Sequence, residues 1–387
     1  MLKIDNDRTR EKIVTIQEEL EALHLGRDMH DVIEGILLAM LSSGHVLIYG
    51  PPGSNKSNVI EDGISRVTGA NVFLSYGSKY ASLEDIVGAI RMSGLDEDKY
   101  ERVIEGRLPW AHFALMDEVL ECQPALVRVM HPIMNEGVFV NGTNVLQVPL
   151  KSMFGATNET IEDAVDNMPA FIDRWHLRYK VGYPEDPELL KQIRSISREH
   201  RKKGRTGTTI TLAELEAAQR EVLDVAITDE VDTTVGKIYK HCLGRGIIVS
   251  PRRFAQLDPV VQAKAWLRGR ETADPSDLQI YRHCLWTEER HVEPLGKILN
   301  TEAKSQVNQA REMLDDIKKM HKQWKGLKHN DANRSKLAQT VKEKTQKLTK
   351  LSEEYKSQGK DPKSIDKAFE EASDIHYNMV RGNRTNG

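Results

Sequence analysis

The stretch His45-Val46-Leu47-Ile48-Tyr49-Gly50-Pro51-Pro52-Gly53-Ser54-Asn55-Lys56-Ser57 sets an apolar run before a glycine-rich turn that ends in a lysine and a hydroxyl residue. That order builds a phosphate cradle: backbone N–H groups of the turn form an anion nest, and the helix behind it presents the positive end of its dipole to the same phosphates. The cradle covers Gly50, Pro51, Pro52, Gly53, Ser54, Asn55, Lys56, Ser57 and Asn58. Lys56 would reach the β- and γ-phosphates, and the Ser57 hydroxyl would ligate a Mg²⁺ ion bridging them, so the ligand implied is ATP with Mg²⁺. One position departs from the pattern G-x-x-x-x-G-K-[ST]: Asn55 stands in place of the second glycine. Asparagine tolerates left-handed backbone angles better than most residues, so the turn is feasible, although its side chain could crowd the phosphates. The structural alternative is a Gly/Pro turn that only links a strand to a helix.

A second chemical signal is His112-Phe113-Ala114-Leu115-Met116-Asp117-Glu118, an apolar strand ending in two acids, the Walker B arrangement. Asp117 would join Ser57 in the magnesium shell, and Glu118 would orient and polarise the attacking water. A third, Ser152-Met153-Phe154-Gly155-Ala156-Thr157-Asn158, ends another apolar strand in an amide that could orient the same water, as a sensor 1 residue does. Alone, Asn158 reads equally as a turn residue or helix cap.

These residues need a scaffold that brings several strand ends together. Apolar runs at 71–75, 112–117, 152–157 and 177–182 read as further strands, separated by segments long enough for crossover helices. Right-handed parallel crossovers give an α/β sheet covered on both faces, with ligands at the carboxyl ends of the strands. An amphipathic helix is expected at 9–23 and an apolar helix at 30–41. The composition, 39% hydrophobic and 29% charged over 387 residues, allows two or three globular domains, and the net charge of -3 gives no general attraction to nucleic acid or anionic lipid. The basic cluster 201–205 reads as a solvated loop. Cys122, Cys242 and Cys284 lack disulfide or zinc spacing, the start is too polar for a signal peptide, and no apolar run approaches the roughly 20 residues of a membrane span. A cytoplasmic protein is expected.

The order of P-loop, Walker B and sensor asparagine resembles the AAA+ ATPases, and the sequence between resembles their MoxR group, particularly the RavA branch. The phrases that carry the match over about residues 8 to 292 are Leu25-Gly26-Arg27, Gly50-Pro51-Pro52-Gly53, 100–109, Met116-Asp117-Glu118, 134–142, Ala156-Thr157-Asn158-Glu159, 171–178 and Val249-Ser250-Pro251-Arg252-Arg253. The RavA-type P-loop is similar in accepting a small residue other than glycine before its lysine. The resemblance implies a ring, usually a hexamer, with each ATP held between subunits. It places an arginine finger at Arg174, with Arg178 as fallback, and a sensor 2 arginine at Arg252 or Arg253, with Arg252 favoured, reaching the phosphates from a helical lid. Each arginine reads otherwise as part of a surface ion pair. A β-hairpin is implied at 136–149, and Asn141-Gly142 between alternating apolar residues agrees. It is either a contact surface or a purely structural hairpin.

The expected organisation is therefore an AAA+ core at 1–183 built on a five-stranded parallel sheet, a helical lid at 184–292 and a helical hairpin or three-helix extension at 293–380. A disordered tail at 381–387 would follow. In the extension Met313, Ile317, Met320, Trp324 and Leu327 alternate spacings of four and three, and a similar pattern runs from Leu337 to Tyr355. The expected function is Mg²⁺-dependent ATP hydrolysis that remodels a protein client, with a von Willebrand factor A domain as the partner type that the resemblance implies. The alternatives are a nucleic-acid-acting motor, for which a basic pore is lacking, and a nucleotide-gated scaffold in which Asn55 permits binding with little turnover.

Overall fold

The structure, a computed structural model, describes residues 6–76, 81–92, 100–162, 168–203, 206–303, 306–327, 332–357 and 362–384. It divides into two compact units, Met1–Leu299 and Asn300–Gly387.

In the first unit, α1 (Asn6–Leu23) and α2 (Arg27–Ser42) precede the sheet. Helix α1 buries Ile13, Ile16 and Leu20 along one stripe, and α2 buries Val32, Ile33, Ile36 and Leu37, the three-and-four spacing that faces a core. The sheet consists of β1 (Val46–Tyr49), β3 (Val72–Tyr76), β4 (Phe113–Asp117), β7 (Ser152–Thr157) and β8 (Leu177–Lys180). Its five strands run in the order β3-β4-β7-β1-β8 and every neighbouring pair is parallel. Strands β1 and β7 are buried throughout, as the near-continuous apolar runs of a doubly covered parallel sheet require.

Parallel pairing gives the sheet two distinct edges. Tyr49 pairs with both Thr157 and Lys180, and Tyr76 with Asp117, so the residues just after these positions share the carboxyl edge. Val46 pairs with Leu177 and Phe113 with Ser152, so the residues just before them share the amino edge. Helix α3 (Lys56–Ser65) leaves the carboxyl edge after β1, and α5 (Pro124–Glu136) follows β4; the short α4 (Leu83–Val87) and α6 (Pro169–Ile172) sit in other crossovers. The C-terminal end of α5 lies at the amino edge, where His45 Nε2 is 2.9 Å from the Met134 carbonyl.

The expected hairpin forms as β5 (Val138–Asn141) and β6 (Asn144–Gln147), with Val140 opposite Val145 and Gly142 turning at φ +65°. One small sheet has no counterpart in the sequence reading: β2 (Val67–Thr68) pairs in parallel with β9 (Ile210–Thr211), inside a stretch expected to be wholly helical. Two residues are too few to show a period.

Helices α7 (Pro187–Lys203), α8 (Leu212–Asp224), α9 (Asp229–Gly244) and α10 (Pro251–Leu267) follow, then a 3₁₀ segment at Pro275–His283 and α11 (Val292–Glu302). Helix α10 packs on α2 and α8. Contrary to the solvated-loop reading, Arg201–Lys203 close α7: lysine and arginine are good helix formers, and the run simply continues the helix. Gly204 and Arg205 lie outside the described residues. The first unit extends through Leu299, past the boundary expected at 292. The three cysteines are free and buried, and burial pushes the Cys122 and Cys242 thiols up to about 11 and Cys284 up to about 12.

The second unit consists of α12 (Gln306–Gly326), α13 (Ala332–Ser357) and α14 (Lys363–Arg384), each packed on the other two. Ile317, Trp324, Val341, Leu348, Ile365 and Met379 lie in its core, and the Arg334 guanidinium covers the Trp324 ring at 3.8 Å. Helix α14 runs to Arg384, so 381–384 are helical where a tail was expected; 385–387 lie outside the described residues. Among the described residues no helix is long and apolar enough to cross a membrane.

Candidate functional site

The turn between β1 and α3 takes its shape from three residues in left-handed or related backbone regions: Gly50 at φ +156°, Gly53 at +76° and Asn55 at +70°. A side chain at position 50 would place its Cβ 2.2 Å from the Val181 carbonyl oxygen, so only glycine lets the turn pass this close to the end of β8. Lys56 begins α3 and its ammonium donates to the Gly50 carbonyl at 2.9 Å, the Pro51 carbonyl at 3.0 Å and Asn158 Oδ1 at 2.9 Å. Burial pushes its pKa down, while the charges of Glu118 and Asp117 oppose that shift. The residues expected to form the phosphate loop, the Walker B pair and the sensor position thus meet at the carboxyl edge.

The Ser57 hydroxyl donates to Asp117 Oδ2 at 3.0 Å. A hydroxyl and a carboxylate this close offer the hard oxygen donors that suit Mg²⁺, which keeps several waters or phosphate oxygens in its remaining positions. Glu118 leaves β4 at φ +48°, a left-handed step that turns its carboxylate back toward β7. There Oε2 accepts the Asn158 backbone N–H at 3.0 Å, and the Asn158 side-chain amide donates to Oε1. Asn158 therefore spans Lys56 and Glu118, one amide touching both.

Beside the loop lies a cavity of about 900 Å³ walled by three chain segments. Leu23, His24, Leu25, Gly26 and Met29 contribute the turn between α1 and α2; Gly53, Ser54, Asn55 and Asn58 contribute the loop. Gly182, Tyr183, Pro184, Leu189, Leu190, Ile193 and Ile196 form the third wall. The apolar face of α7 thus sits opposite the loop, a suitable neighbour for a planar base. Tyr183 also donates its hydroxyl to the Pro52 carbonyl at 2.6 Å, tying the end of β8 to the loop.

Sequence reasoning missed His24 and Asp62. His24 stands 2.7 Å from the Asn55 side-chain nitrogen through Nδ1 and 2.8 Å from Asp62 Oδ2 through Nε2. No local pattern signals this group, because His24 is 31 positions from Asn55; the missing glycine at position 55 was the only hint.

The arginines lie elsewhere. Arg174 follows α6 and precedes β8, at the amino edge, and donates to the Ala170 carbonyl. Arg252, at the start of α10, donates to Asn135 Oδ1 at 3.0 Å at the end of α5. Its charge, after burial, depresses the Arg174 pKa, while Asp173 and Glu136 oppose that shift. Arg252 therefore does not reach its own chain's phosphate loop as expected; it joins Arg174 across the sheet from it. The reason is the placement of α10, which packs on α2 and α8 rather than over the loop. Arg253 is buried and wedged among carbonyls, donating to Asp173, Trp175, His176 and Cys284. Arg178, the fallback finger, is buried within β8 and donates to the Trp286 and Ile172 carbonyls, which leaves it no route to a neighbouring chain.

Known proteins resemble this chain in sequence and in fold. A family model described as the MoxR domain in the MoxR-vWA-beta-propeller ternary systems matches residues 11–220, and an AAA lid domain model matches 230–299. An uncharacterized protein of Methanocaldococcus jannaschii is 32% identical, over 79% of this chain and 82% of its own length. Chaperone MoxR1 of Mycobacterium tuberculosis is 25% identical over 69% of this chain and 74% of its own. A solved structure from Cytophaga hutchinsonii, whose own assignment as an ATPase is provisional, superimposes with a TM-score of 0.60 at 16% identity, covering 76% of this chain and 95% of that one.

Proposed function

This chain belongs to the MoxR family of AAA+ ATPases, and from that premise we propose that it binds ATP with Mg²⁺ at the carboxyl edge, hydrolyses it within a ring of identical subunits, and uses the cycle to remodel a protein partner. The observation that carries the reading is the meeting of Lys56, Ser57, Asp117, Glu118 and Asn158 within hydrogen-bond distance. Residues from three strand ends converge there, which a chance Gly/Pro turn would not bring about.

The roles follow from the contacts. The loop N–H groups and Lys56 take the β- and γ-phosphates, whose oxygens compete for the ammonium protons now given to Gly50 and Pro51. Ser57 and Asp117 would hold Mg²⁺, which would supply positive charge against the charge developing on the phosphates. Glu118 accepts a hydrogen bond from the attacking water, and Asn158 fixes that carboxylate from two sides. The base lies in the cavity against α7.

Ring assembly draws support from the arginines. The four residues of β1 separate the two edges by roughly 13 Å, which supports a role for Arg174 and Arg252 toward a neighbour's ATP rather than their own. Two guanidiniums brought together repel, and an arriving phosphate relieves that repulsion while gaining planar, permanent donors. A hexamer is the ring size proposed. Between branches, the matching model favours the vWA and β-propeller type over the RavA-like one, and its description supports a von Willebrand factor A domain as the partner. A cytoplasmic location fits the absence of a membrane-crossing helix among the described residues.

The test is ATP turnover against protein concentration, with mass followed by light scattering, for wild type, Glu118→Gln and Arg174→Ala. Cooperative turnover in a roughly hexameric species, lost in both variants while Glu118→Gln still binds ATP, is the expected result. ATP bound without turnover by an assembled wild-type ring would instead favour a nucleotide-gated scaffold.

A further inference from the structure

Asn55 occupies a backbone conformation that most side chains resist, φ +70° and ψ 17°, at the residue before the phosphate-loop lysine. It is also the N-cap of α3, where asparagine ordinarily turns its side chain back onto the first free N–H groups of its helix. No such capping bond forms here. The side chain is held elsewhere, and from both ends: its Nδ2 meets His24 Nδ1 at 2.7 Å, and its Oδ1 accepts from Asn58 Nδ2 at 2.8 Å.

The donors and acceptors along this chain agree with one another. The Asp62 carboxylate accepts from His24 Nε2, which sets the tautomer with its proton on Nε2 and leaves Nδ1 as an acceptor. Nδ1 then takes a proton from the Asn55 amide nitrogen, and that orientation leaves the amide oxygen for Asn58. His24 and Asp62 are both buried, on α1's C-terminal side and on α3, so the relay stands on two elements outside the loop. All four side chains reach the wall of the cavity beside the loop.

We infer that His24, oriented by Asp62, is a positioning residue for nucleotide binding: it pins Asn55 in the left-handed conformation that a glycine would supply freely, and holds the amide away from the phosphates. Asparagine alone leaves both the backbone angle and the side-chain direction open; the relay closes both. The phosphate loop of this chain therefore depends on a histidine far away in sequence. This inference rests on the reading of the loop as an ATP site.

The relay makes a coupling prediction that a general stabilising role for His24 does not. Equilibrium binding of a fluorescent ATP analogue, with Mg²⁺, would be measured for wild type, His24→Ala, Asn55→Gly and the double variant, each checked by thermal unfolding. His24→Ala is expected to weaken binding roughly 10-fold or more in the wild-type background. In the Asn55→Gly background, where the glycine supplies the backbone angle, the same substitution is expected to change affinity less than twofold. Asp62→Asn, which keeps the shape but disturbs the tautomer, should follow His24→Ala in both backgrounds. An unchanged affinity in His24→Ala would overturn the inference. So would an equal loss in both backgrounds, since His24 would then act on the base or the fold and not through Asn55. Failure of both wild type and Asn55→Gly to bind nucleotide would overturn the ATP reading itself, and the relay with it.

Discussion

The adjacent arginines at the start of α10 make a sharp test, because the structure gives them opposite duties. Arg253 donates to the carbonyls of Asp173 at 2.6 Å, Trp175 and Cys284 at 2.8 Å and His176 at 3.3 Å, and pairs with Asp173 Oδ1 at 3.2 Å. Replacing it with alanine strands the buried carbonyls of Trp175 and Cys284 and leaves those of Asp173 and His176 without their donor. Removing one partner from a buried charged network costs about 3–5 kcal/mol, well below the sum of the separate bonds because the site relaxes as a unit. At about 2–3 °C per kcal/mol for a unit of this size, Arg253→Ala should melt roughly 10 °C lower. Arg253→Lys should lose part of that, since an ammonium cannot copy the fork. Arg252 is exposed and makes one bond, to Asn135, so Arg252→Ala should cost under about 1 kcal/mol and leave the melting temperature nearly unchanged. Its turnover in the assembled state should nonetheless fall roughly 10²-fold, the typical loss of one donor aimed at developing charge. Differential scanning calorimetry beside ATP turnover separates the two. A full-rate Arg252→Ala enzyme, or an Arg253→Ala protein as stable as wild type, would refute the assignment.

Other consequences are equally direct. Glu118→Gln keeps one acceptor oxygen for Asn158, whose backbone N–H and side-chain amide now each donate to a separate carboxylate oxygen, and removes the water-polarising charge; hydrolysis should fall about 10²–10⁴-fold with ATP affinity retained, measured by single-turnover kinetics and equilibrium binding. Burial pushes His283 down to about 3 and also depresses His45 and His176. These groups stay neutral in the fold while the unfolded chain takes up protons below about pH 6.5, so stability is intact above that pH and falls as the pH drops toward 3. By pH 5 the loss from His283 alone should be about 2 kcal/mol, read from urea midpoints across the pH series. In the three-helix unit, Leu348→Ala opens a cavity in the core and should cost about 2–5 kcal/mol in the thermal unfolding of that unit, with ATP turnover as a separate readout.

What could be read in advance was what is local. The glycine-rich turn after β1, the two acids at the end of β4 and the amide after β7 each announce themselves within a dozen residues, because a strand end and its turn are specified by neighbours in sequence. The five parallel strands followed for the same reason: buried strands are continuous apolar runs, and their crossovers have one hand. The pairing of Val67–Thr68 with Ile210–Thr211, the relay from Asp62 to Asn55 and the burial of Arg178 all depend on residues distant in sequence meeting in space. No period or propensity records such a meeting. Arg178 is instructive because it sits in a strand of otherwise ordinary pattern, and only the carbonyls of Trp286 and Ile172 explain how its charge is tolerated inside.

The position of Arg252 shows why a motif can be identified while its geometry stays hidden. The pattern Ser250-Pro251-Arg252-Arg253 marks a helix start: Ser250 caps α10 by accepting the Arg253 N–H, and Pro251 fits the first turn. Nothing in that cap says which way the helix will lie. Its direction is set by Phe254, Leu257, Val260, Val261 and Ala265, whose burial commits α10 to the surface made by α2 and α8. That commitment carries Arg252 to Asn135 and the amino edge, beside Arg174, and away from the loop proposed to hold its own chain's phosphates. A catalytic role for either arginine then requires a second subunit. The loss in Arg252→Ala should consequently appear only where subunits are assembled: mixing it with Glu118→Gln, which supplies intact arginines but an inert water site, should restore part of the turnover. No recovery in rings verified to be mixed would place Arg252 on its own chain's nucleotide and refute the two-edge arrangement.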